Sequence, residues 1–238
     1  MRRLLLVPLA FFVGCGEPRD PDADLVRRQG HTQAFAAAAL VRAKPTDGEA
    51  VQLSLSAWKG QDGAVKLLAA KADVEVLEAR LEADGRLLLW SPRQREVCTT
   101  RLDAPEVPAL LAHLPLLLTE LSDGPLAPNA VRSTEGRWTW TAGDLAIALV
   151  LEGDRPRTKT VADAAGTTLV TLTYGEQRAF DELLRPARVT IQVPDGEALV
   201  ILRRLDALGD VSAERLRLTI PDDAVTVPFP TLLEHLKR

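Results

Sequence analysis

The sequence predicts a mainly β protein of the α+β class, built on a strongly curved antiparallel sheet or half-open β-barrel whose helices cover the concave face. Segments that alternate apolar and polar residues recur along most of the 238-residue chain, and a period of two is that of half-buried strands. Turn signals separate them roughly every 8–12 residues, as in an antiparallel meander. One leucine-rich helical segment divides the strands into two groups, and so many strands in one sheet would curl.

The first predicted element of the domain is a helix over residues 23–43. Leu25, Phe35 and Leu40 fall on or near one face at helical spacing. Gly30 weakens this helix in the middle, and the sequence KPTDG at residues 44–48 ends it.

The first group of strands includes a change of phase. Residues 73–76 and 77–82 both alternate, but in opposite phases, and a one-residue slip of this kind predicts a β-bulge. Asp84-Gly85 predicts a tight turn between two strands. The other strands of this group are predicted at residues 51–57, 64–70, 86–90 and 97–99.

A helical insert follows from Val107 to Leu121, where leucines recur at helical spacing. Pro108 suits a first helical turn, and Pro115 is expected to split the insert into two short helices. The second group of strands is predicted at residues 137–141, 145–151, 158–162, 167–174, 188–193 and 198–208, before a last short helix at 230–237.

The first fifteen residues have the layout of a secretory signal peptide. Arg2 and Arg3 form a positive region, residues 4–13 form an apolar region, and Gly14 is a small residue directly before Cys15. The apolar run is shorter than the roughly 20 residues that span a bilayer. This start resembles the lipobox of bacterial lipoproteins, which implies cleavage before Cys15 and acylation of its thiol. The alternative is an ordinary signal peptide that is cut elsewhere.

These observations predict a signal peptide at residues 1–14, a lipidated tether at 15–22 and one globular domain at 23–238. Loss of the signal peptide leaves 27 basic against 33 acidic residues, a net charge of −6. We expect no nucleic-acid partner, because binding to phosphates needs clustered Lys and Arg. Cys98 lies in a strand-like run, which favours a buried structural thiol.

The order of elements resembles the LolA/LolB family over roughly residues 25–208. The features that carry the resemblance are a helix before the first meander, the Asp84-Gly85 hairpin leading into LLLWSP at residues 87–92, the helical insert, and the closing stretch from Pro186 to Leu205. The resemblance implies a half-open β-barrel in which helices cover an apolar cavity. In that family, LolA carries lipoproteins across the periplasm by holding their acyl chains, and LolB is a lipoprotein that receives them at the outer membrane.

The resemblance implies a membrane-anchored lipoprotein that binds acyl chains or lipoproteins and acts in lipoprotein localisation or envelope biogenesis. Cys15 gives the chain the topology of LolB. Gly16 stands where some bacteria place an Asp that retains lipoproteins in the inner membrane, which favours the periplasmic face of the outer membrane. The alternative is an envelope scaffold or sensor module that uses the same fold to bind other envelope proteins without lipid transfer.

A carrier of acyl chains needs a large apolar lining, because each buried CH₂ contributes about 0.8 kcal/mol. Large apolar side chains on the predicted strands and insert are candidates for that lining, although such residues most often fill a closed core. The candidates are Trp58, Leu88, Trp90, Leu114, Leu117, Trp138 and Trp140.

Motifs for catalysis are missing from the sequence. The three histidines, His31, His113 and His235, are scattered without the spacing of metal ligands. The chain has no Gly-x-Ser-x-Gly sequence, phosphate loop or dinucleotide fingerprint. We therefore expect a binding protein with no catalytic residues, metal or cofactor.

Overall fold

The computed structural model of the protein describes Leu25 and residues 29–236. The predicted signal peptide, Cys15 and the tether lie outside these residues. Within the described part of the chain, no helix has both the length and the apolar character needed to cross a membrane.

The described chain contains two groups of strands on either side of a helical insert, followed by a C-terminal segment. The first group is β1 (Ala34–Pro45), β2 (Val51–Lys59), β3 (Val65–Lys71), β4 (Val74–Leu81), β5 (Arg86–Ser91) and β6 (Glu96–Arg101). The insert is α1 (Ala109–Ala112) and α2 (Leu114–Ser122). The second group is β7 (Val131–Arg132), β8 (Arg137–Ala142), β9 (Leu145–Glu152), β10 (Arg155–Ala162), β11 (Thr168–Tyr174), β12 (Gln177–Phe180), β13 (Leu183–Pro186), β14 (Arg188–Val193) and β15 (Gly196–Leu208). The C-terminal segment contains α3 (Ala213–Leu216), β16 (Val225–Thr226) and α4 (Phe229–Leu236).

Fourteen strands form one sheet in the order β16-β6-β5-β4-β3-β2-β1-β15-β14-β11-β10-β9-β8-β7, while β12 and β13 form a separate hairpin. Strand β1 pairs with both β2 and β15 and so joins the two groups. All neighbours in the sheet are antiparallel except β16 and β6. The predicted antiparallel sheet is confirmed, and it does not close into a barrel.

The predicted helix over residues 23–43 is wrong for most of its length. Leu25 and Gln29 are helical, but Ala34–Pro45 form β1. Phe35 is buried on one face of this strand and Ala34 on the other. A strand covered on both faces lacks polar alternation, and its pairing with two neighbours outweighs the helix propensity of its alanines.

The pairing of strands in the sheet shifts register at four places. The bulge predicted from the phase slip is confirmed, because Ala69 pairs with Leu77 and Ala70 with Glu75. A second irregularity lies in the central pair of strands, between Ala38 and Ala39 of β1. Bulges bend a strand and increase its twist, so they favour the curvature that the number of strands requires.

The insert and α4 pack on the concave face, as predicted, whereas α3 packs on the opposite face. Leu118 of α2 is buried in a cluster with Phe35 and Leu87, called here the N-terminal core. Leu117 of the same helix packs on a second cluster around Trp138, called the C-terminal core. One helix can contact both halves of the sheet because the sheet curves around it.

The predicted division of the insert into two helices is confirmed. Helix α1 ends before His113, and Pro115 lies in the first turn of α2. A proline in the first turn loses no helical hydrogen bond, which is why α2 can begin there.

The C-terminal segment wraps the β6 edge of the sheet. After β15 it crosses the convex face, where Leu216 of α3 is buried beside Ala34. Strand β16 then pairs with β6, and Phe229 and Leu232 of α4 are buried in the N-terminal core. The last helix was predicted, whereas α3, β7, β16 and the β12–β13 hairpin were not.

Candidate functional site: an apolar groove at one end of the sheet

The sheet has two distinct ends. Pro45 pairs with Gly196, so the turn after β1 (residues 46–50) and the turn between β14 and β15 (residues 194–195) lie together at what we call the groove end. Ala34 pairs with Leu208 at the opposite end, called the hairpin end because the β12–β13 hairpin extends from β14 towards it.

A groove of about 590 Å³ opens at the groove end. Four parts of the chain form it: the end of β1, the turn between β14 and β15, the start of α1, and α4. Its volume lies within the range of roughly 300–1,000 Å³ that is usual for small-molecule sites. The apolar residues of its lining are Ala43, Pro45, Pro108, Leu110, Val193, Pro194 and Leu233.

The groove lies where the two cores meet. Leu110 and Val193 pack against the C-terminal core, whereas Leu233 packs against the N-terminal core. The short helix α1 has no fully buried residue. The curved sheet therefore leaves a space between the two clusters, and α1 and α4 form its walls.

Asp195 ties the rim of the groove to α1. Its Oδ2 accepts a hydrogen bond from the backbone N–H of Ala109 at 2.9 Å, and its backbone carbonyl accepts one from Thr46 N–H at 3.1 Å. Burial lowers the pKa of His113, and the charge of Asp195 partly opposes this shift. These contacts hold the β14–β15 turn against the start of the insert.

At the hairpin end, Arg185 holds the C-terminus of α2. Its guanidinium is fully buried and donates to the backbone carbonyls of Leu121 at 2.9 Å, Ser122 at 2.7 Å and Gly30 at 3.1 Å. It also donates to the carbonyl of Gln29. Burial lowers the pKa of Arg185 to about 10, so the group remains a cation at neutral pH and suits the negative end of the helix dipole.

A buried polar network joins α2 to the second group of strands. Glu120 forms an ion pair with Lys159, and Tyr174 OH donates to Glu120 Oε2 at 2.8 Å. The Lys159 ammonium lies 4.9 Å from the centre of the Trp140 ring. Burial and the charge of Glu120 raise the pKa of Tyr174 well above its usual value. Each charge has a partner, as buried charges require.

Four of the predicted lining residues lie on the concave face. Leu114 packs against the N-terminal core, while Leu117, Trp138 and Trp140 belong to or pack against the C-terminal core. None of these four lines the groove. Contact of their side chains with a lipid stays a prediction.

The other three predicted lining residues lie on the convex face. Trp58 packs beside Leu216, with the Arg215 guanidinium 5.4 Å from its ring centre. Leu88 and Trp90 alternate along β5 with the concave-face residues Leu87 and Leu89. The sheet therefore stands between these three side chains and the groove.

The sequence analysis did not identify the residues that form the groove or the buried network. The sequence carries part of a signal for the network, because Glu120 is the single charged residue of α2. Lys159 carries none, because Arg155 and Arg157 precede it at alternate positions and only the register shift between Pro156 and Thr158 separates it from them. The groove has no such signal, because its lining comes from four distant segments. Cys98 is buried, as predicted, and burial raises the pKa of its thiol.

No protein-family model matches the sequence, and no curated protein matches it significantly. Solved structures do match. A LolA superfamily protein from Nitrosomonas europaea has a TM-score of 0.56 at 10% identity, with 83% of this chain and 96% of that chain covered. The present chain therefore has the LolA-like fold. The resemblance in the order of elements is thus confirmed at the level of the fold.

Two further solved structures are similar in fold to the present chain. A domain from Vibrio parahaemolyticus, named for outer membrane lipoprotein sorting, has a TM-score of 0.53 at 13% identity, with 92% of this chain and 97% of that chain covered. A DUF1329 family protein from Desulfovibrio piger has a TM-score of 0.54 at 13% identity, with 83% and 96% covered. At identities this low, the structural likeness shows a shared fold alone, so the function has to be argued from the site.

Proposed function

We propose that this protein is a membrane-anchored lipoprotein of the bacterial envelope that binds the acyl chains of a lipid or lipoprotein. The observation that carries the proposal is the apolar groove at the groove end of a LolA-like sheet. Seven methylene groups buried there would contribute about 5–6 kcal/mol, and the cost of association lowers the net free energy of binding below this value. The groove is thus suited to reversible binding.

The anchor in this proposal is the acylated Cys15, at the periplasmic face of the outer membrane. The name of the Vibrio parahaemolyticus domain, which refers to outer membrane lipoprotein sorting, supports this location. Gly30, whose backbone carbonyl accepts a hydrogen bond from Arg185, lies at the hairpin end, opposite the groove. An anchor that lies on the side of Gly30 would leave the groove open to the aqueous side.

The proposal is for binding rather than catalysis. The groove lining contains carboxylates and one lysine, Lys44, but no pairing of a nucleophile with a base. In the described part of the chain, no three His, Cys, Asp or Glu side chains are grouped as a metal site requires. Lipid binding needs neither feature.

Native mass spectrometry of the protein purified without detergent tests the proposal. We expect a bound species of lipid mass, and its loss in Leu110→Asp, which places a charge in the groove. Val131→Asp is the matched control, because Val131 is exposed on β7, away from the groove. Circular dichroism would verify that both variants are folded.

A single apo mass that does not change when lipid is added would contradict lipid binding. The same result together with a co-purifying envelope protein would favour the alternative of a scaffold or sensor module.

A further inference from the structure

The convex face of the sheet differs between the two groups of strands. In the first group the C-terminal segment crosses this face, where Leu216 of α3 is buried beside Ala34. The charged side chains there form ion pairs, such as Lys66 with Glu78 at 2.7 Å. On the second group the convex face is bare, because each of the helices α1 to α4 packs elsewhere.

Two rows of side chains cross this bare face, and we call them together the threonine face. Their alternation with core residues such as Trp138, Leu149 and Leu172 places them on the convex side of the sheet. Strand pairing puts the members of each row side by side. The first row runs from β1 to β8 through Arg42, Leu199, Thr190, Thr173, Thr158, Val150 and Arg137. The second row runs from β1 to β7 through Lys44, Glu197, Gln192, Thr171, Thr160, Ala148, Thr139 and Val131.

The threonine face is positively charged, although the whole chain has a net charge of −4. Arg42 and Arg137 end the first row, and neither takes part in a salt bridge within the described part of the chain. In the second row Glu197 lies directly opposite Lys44 in the β1–β15 ladder, so that its charge is balanced. Three cations and one carboxylate leave two positive charges on the two rows.

The lengths of the side chains in the first row follow the curvature of the sheet. A row across seven strands spans roughly 30 Å, and the ends of a convex face fall away from any flat surface that touches its centre. The centre of the row consists of threonines, whereas long arginines stand at both ends. Because an arginine stem extends well beyond a threonine, all the tips can reach one plane. The face is therefore suited to a flat partner.

We propose that the threonine face docks on the surface of an anionic lipid bilayer, with Arg42 and Arg137 at the lipid phosphates. Its positive charge complements such a surface, and the threonine hydroxyls can donate hydrogen bonds to headgroup oxygens. Val131 and Val150, which are 67% and 40% exposed, add apolar contact at the interface. Helices α1 and α4 form the groove on the concave side, so docking leaves the groove open to water.

A second copy of the chain fits this face less well than a bilayer. Two convex faces touch only near their centres, which keeps the contact area small. A twofold axis through the centre of the row would also bring Arg42 of one copy opposite Arg137 of the other, and like charges repel there. Charge and curvature thus both favour the flat anionic partner.

Co-sedimentation with lipid vesicles measures the docking. The full chain carrying Cys15→Ser is used, because it lacks the predicted acylation site and so cannot be held by an acyl anchor. Vesicles of phosphatidylcholine with about 30% phosphatidylglycerol are compared with phosphatidylcholine alone. A basic residue near an anionic surface strengthens binding by about fivefold, so two net charges predict about 20-fold stronger binding to the anionic vesicles. In about 1 M salt the Debye length is only about 3 Å, and we expect the preference to vanish.

The first decisive variant is Arg42→Gln/Arg137→Gln. Loss of both terminal charges should reduce the preference for anionic vesicles to less than about twofold. The matched control is Arg93→Gln/Arg101→Gln, which removes two exposed arginines from the first group of strands and should retain most of the preference.

The second variant places a negative charge at the centre of the first row. Thr173 is the middle residue of the row and is exposed, so Thr173→Glu should abolish binding to the anionic vesicles. Thr173→Gln has nearly the same size without the charge and should bind as the parent does. Circular dichroism verifies that every variant is folded.

The outcomes decide between the bilayer and other partners. Equal binding of the parent to both kinds of vesicle would overturn the inference. Equal losses in Arg42→Gln/Arg137→Gln and its control would overturn the role of the threonine face. Analytical ultracentrifugation that shows a dimer dissociated by Thr173→Glu, without vesicle binding, would assign the face to a second copy and overturn docking on a bilayer. Acyl binding in the groove is measured separately by native mass spectrometry, and its failure would leave this inference standing.

Discussion

The two ends of the helical insert are held to the sheet in different ways. Helix α2 ends at a fully buried arginine that binds several backbone carbonyls, and Glu120 of the same helix forms a buried ion pair with Lys159. Helix α1, at the groove end, is held through its first N–H by the exposed Asp195. Buried charged contacts are stronger and more costly to break than exposed ones. The comparison indicates that α2 is a fixed support and that α1 is the more easily displaced wall of the groove.

The strongest test of this comparison is Arg185→Met. The substitution removes the donors of several buried carbonyls at once, and we expect the free energy of unfolding to fall by about 3–5 kcal/mol. Urea denaturation followed by circular dichroism measures the change. Arg137→Met, at an exposed position of β8, is the control, with an expected change within about 0.5 kcal/mol. Equal effects of the two substitutions would show that Arg185 does not anchor α2.

The next largest effect is expected for Glu120→Gln. This change leaves the buried Lys159 ammonium without a counterion, and we expect a loss of about 3 kcal/mol in the free energy of unfolding. Adding Lys159→Met should recover part of this loss, because the unpaired charge is then removed. A double-mutant cycle with no coupling between the two positions would contradict the proposed pairing.

Tyr174 provides a test by pH. Its pKa is raised in the folded protein by burial and by Glu120, so above pH 10 the unfolded chain loses the phenol proton while the folded one retains it. The contribution of Tyr174 to stability is therefore complete below pH 10 and falls above it, by up to about 1.4 kcal/mol per pH unit.

Tyr174 is the single tyrosine of the chain, so absorbance at 295 nm follows its ionisation directly. We expect ionisation only at a pH well above 10, together with unfolding. Tyr174→Phe should lose stability at neutral pH and show a weaker dependence on pH above 10. A midpoint near 10 in the folded protein would contradict a buried phenol.

The smallest effect on stability is expected at the groove end. Asp195→Ala removes one exposed contact and should lower the free energy of unfolding by less than about 1 kcal/mol. Hydrogen exchange measured by mass spectrometry should nevertheless show faster exchange in α1 and unchanged exchange in α2. Equal acceleration in both helices would contradict the difference between the two ends.

Much of the fold could be predicted from the sequence because its signals are local. Pro115 divides the insert as predicted, and the phase slip before Leu77 marks a true bulge. The prediction failed at β1, where Ala34–Pro45 are covered on both faces and lack polar alternation. It also missed the β12–β13 hairpin, whose burial depends on contacts far away in the chain.

The sequence by itself determined most of the longer strands, the insert and their order, since each depends on the spacing of apolar residues within a short segment. Only the tertiary structure decided where the groove lies and which residues line it. The groove exists because the curved sheet brings the end of β1, the β14–β15 turn, α1 and α4 together without filling the space between two cores. The same folding turned Trp58, Leu88 and Trp90 to the convex face, because the pairing register assigns each side chain to one side of the sheet.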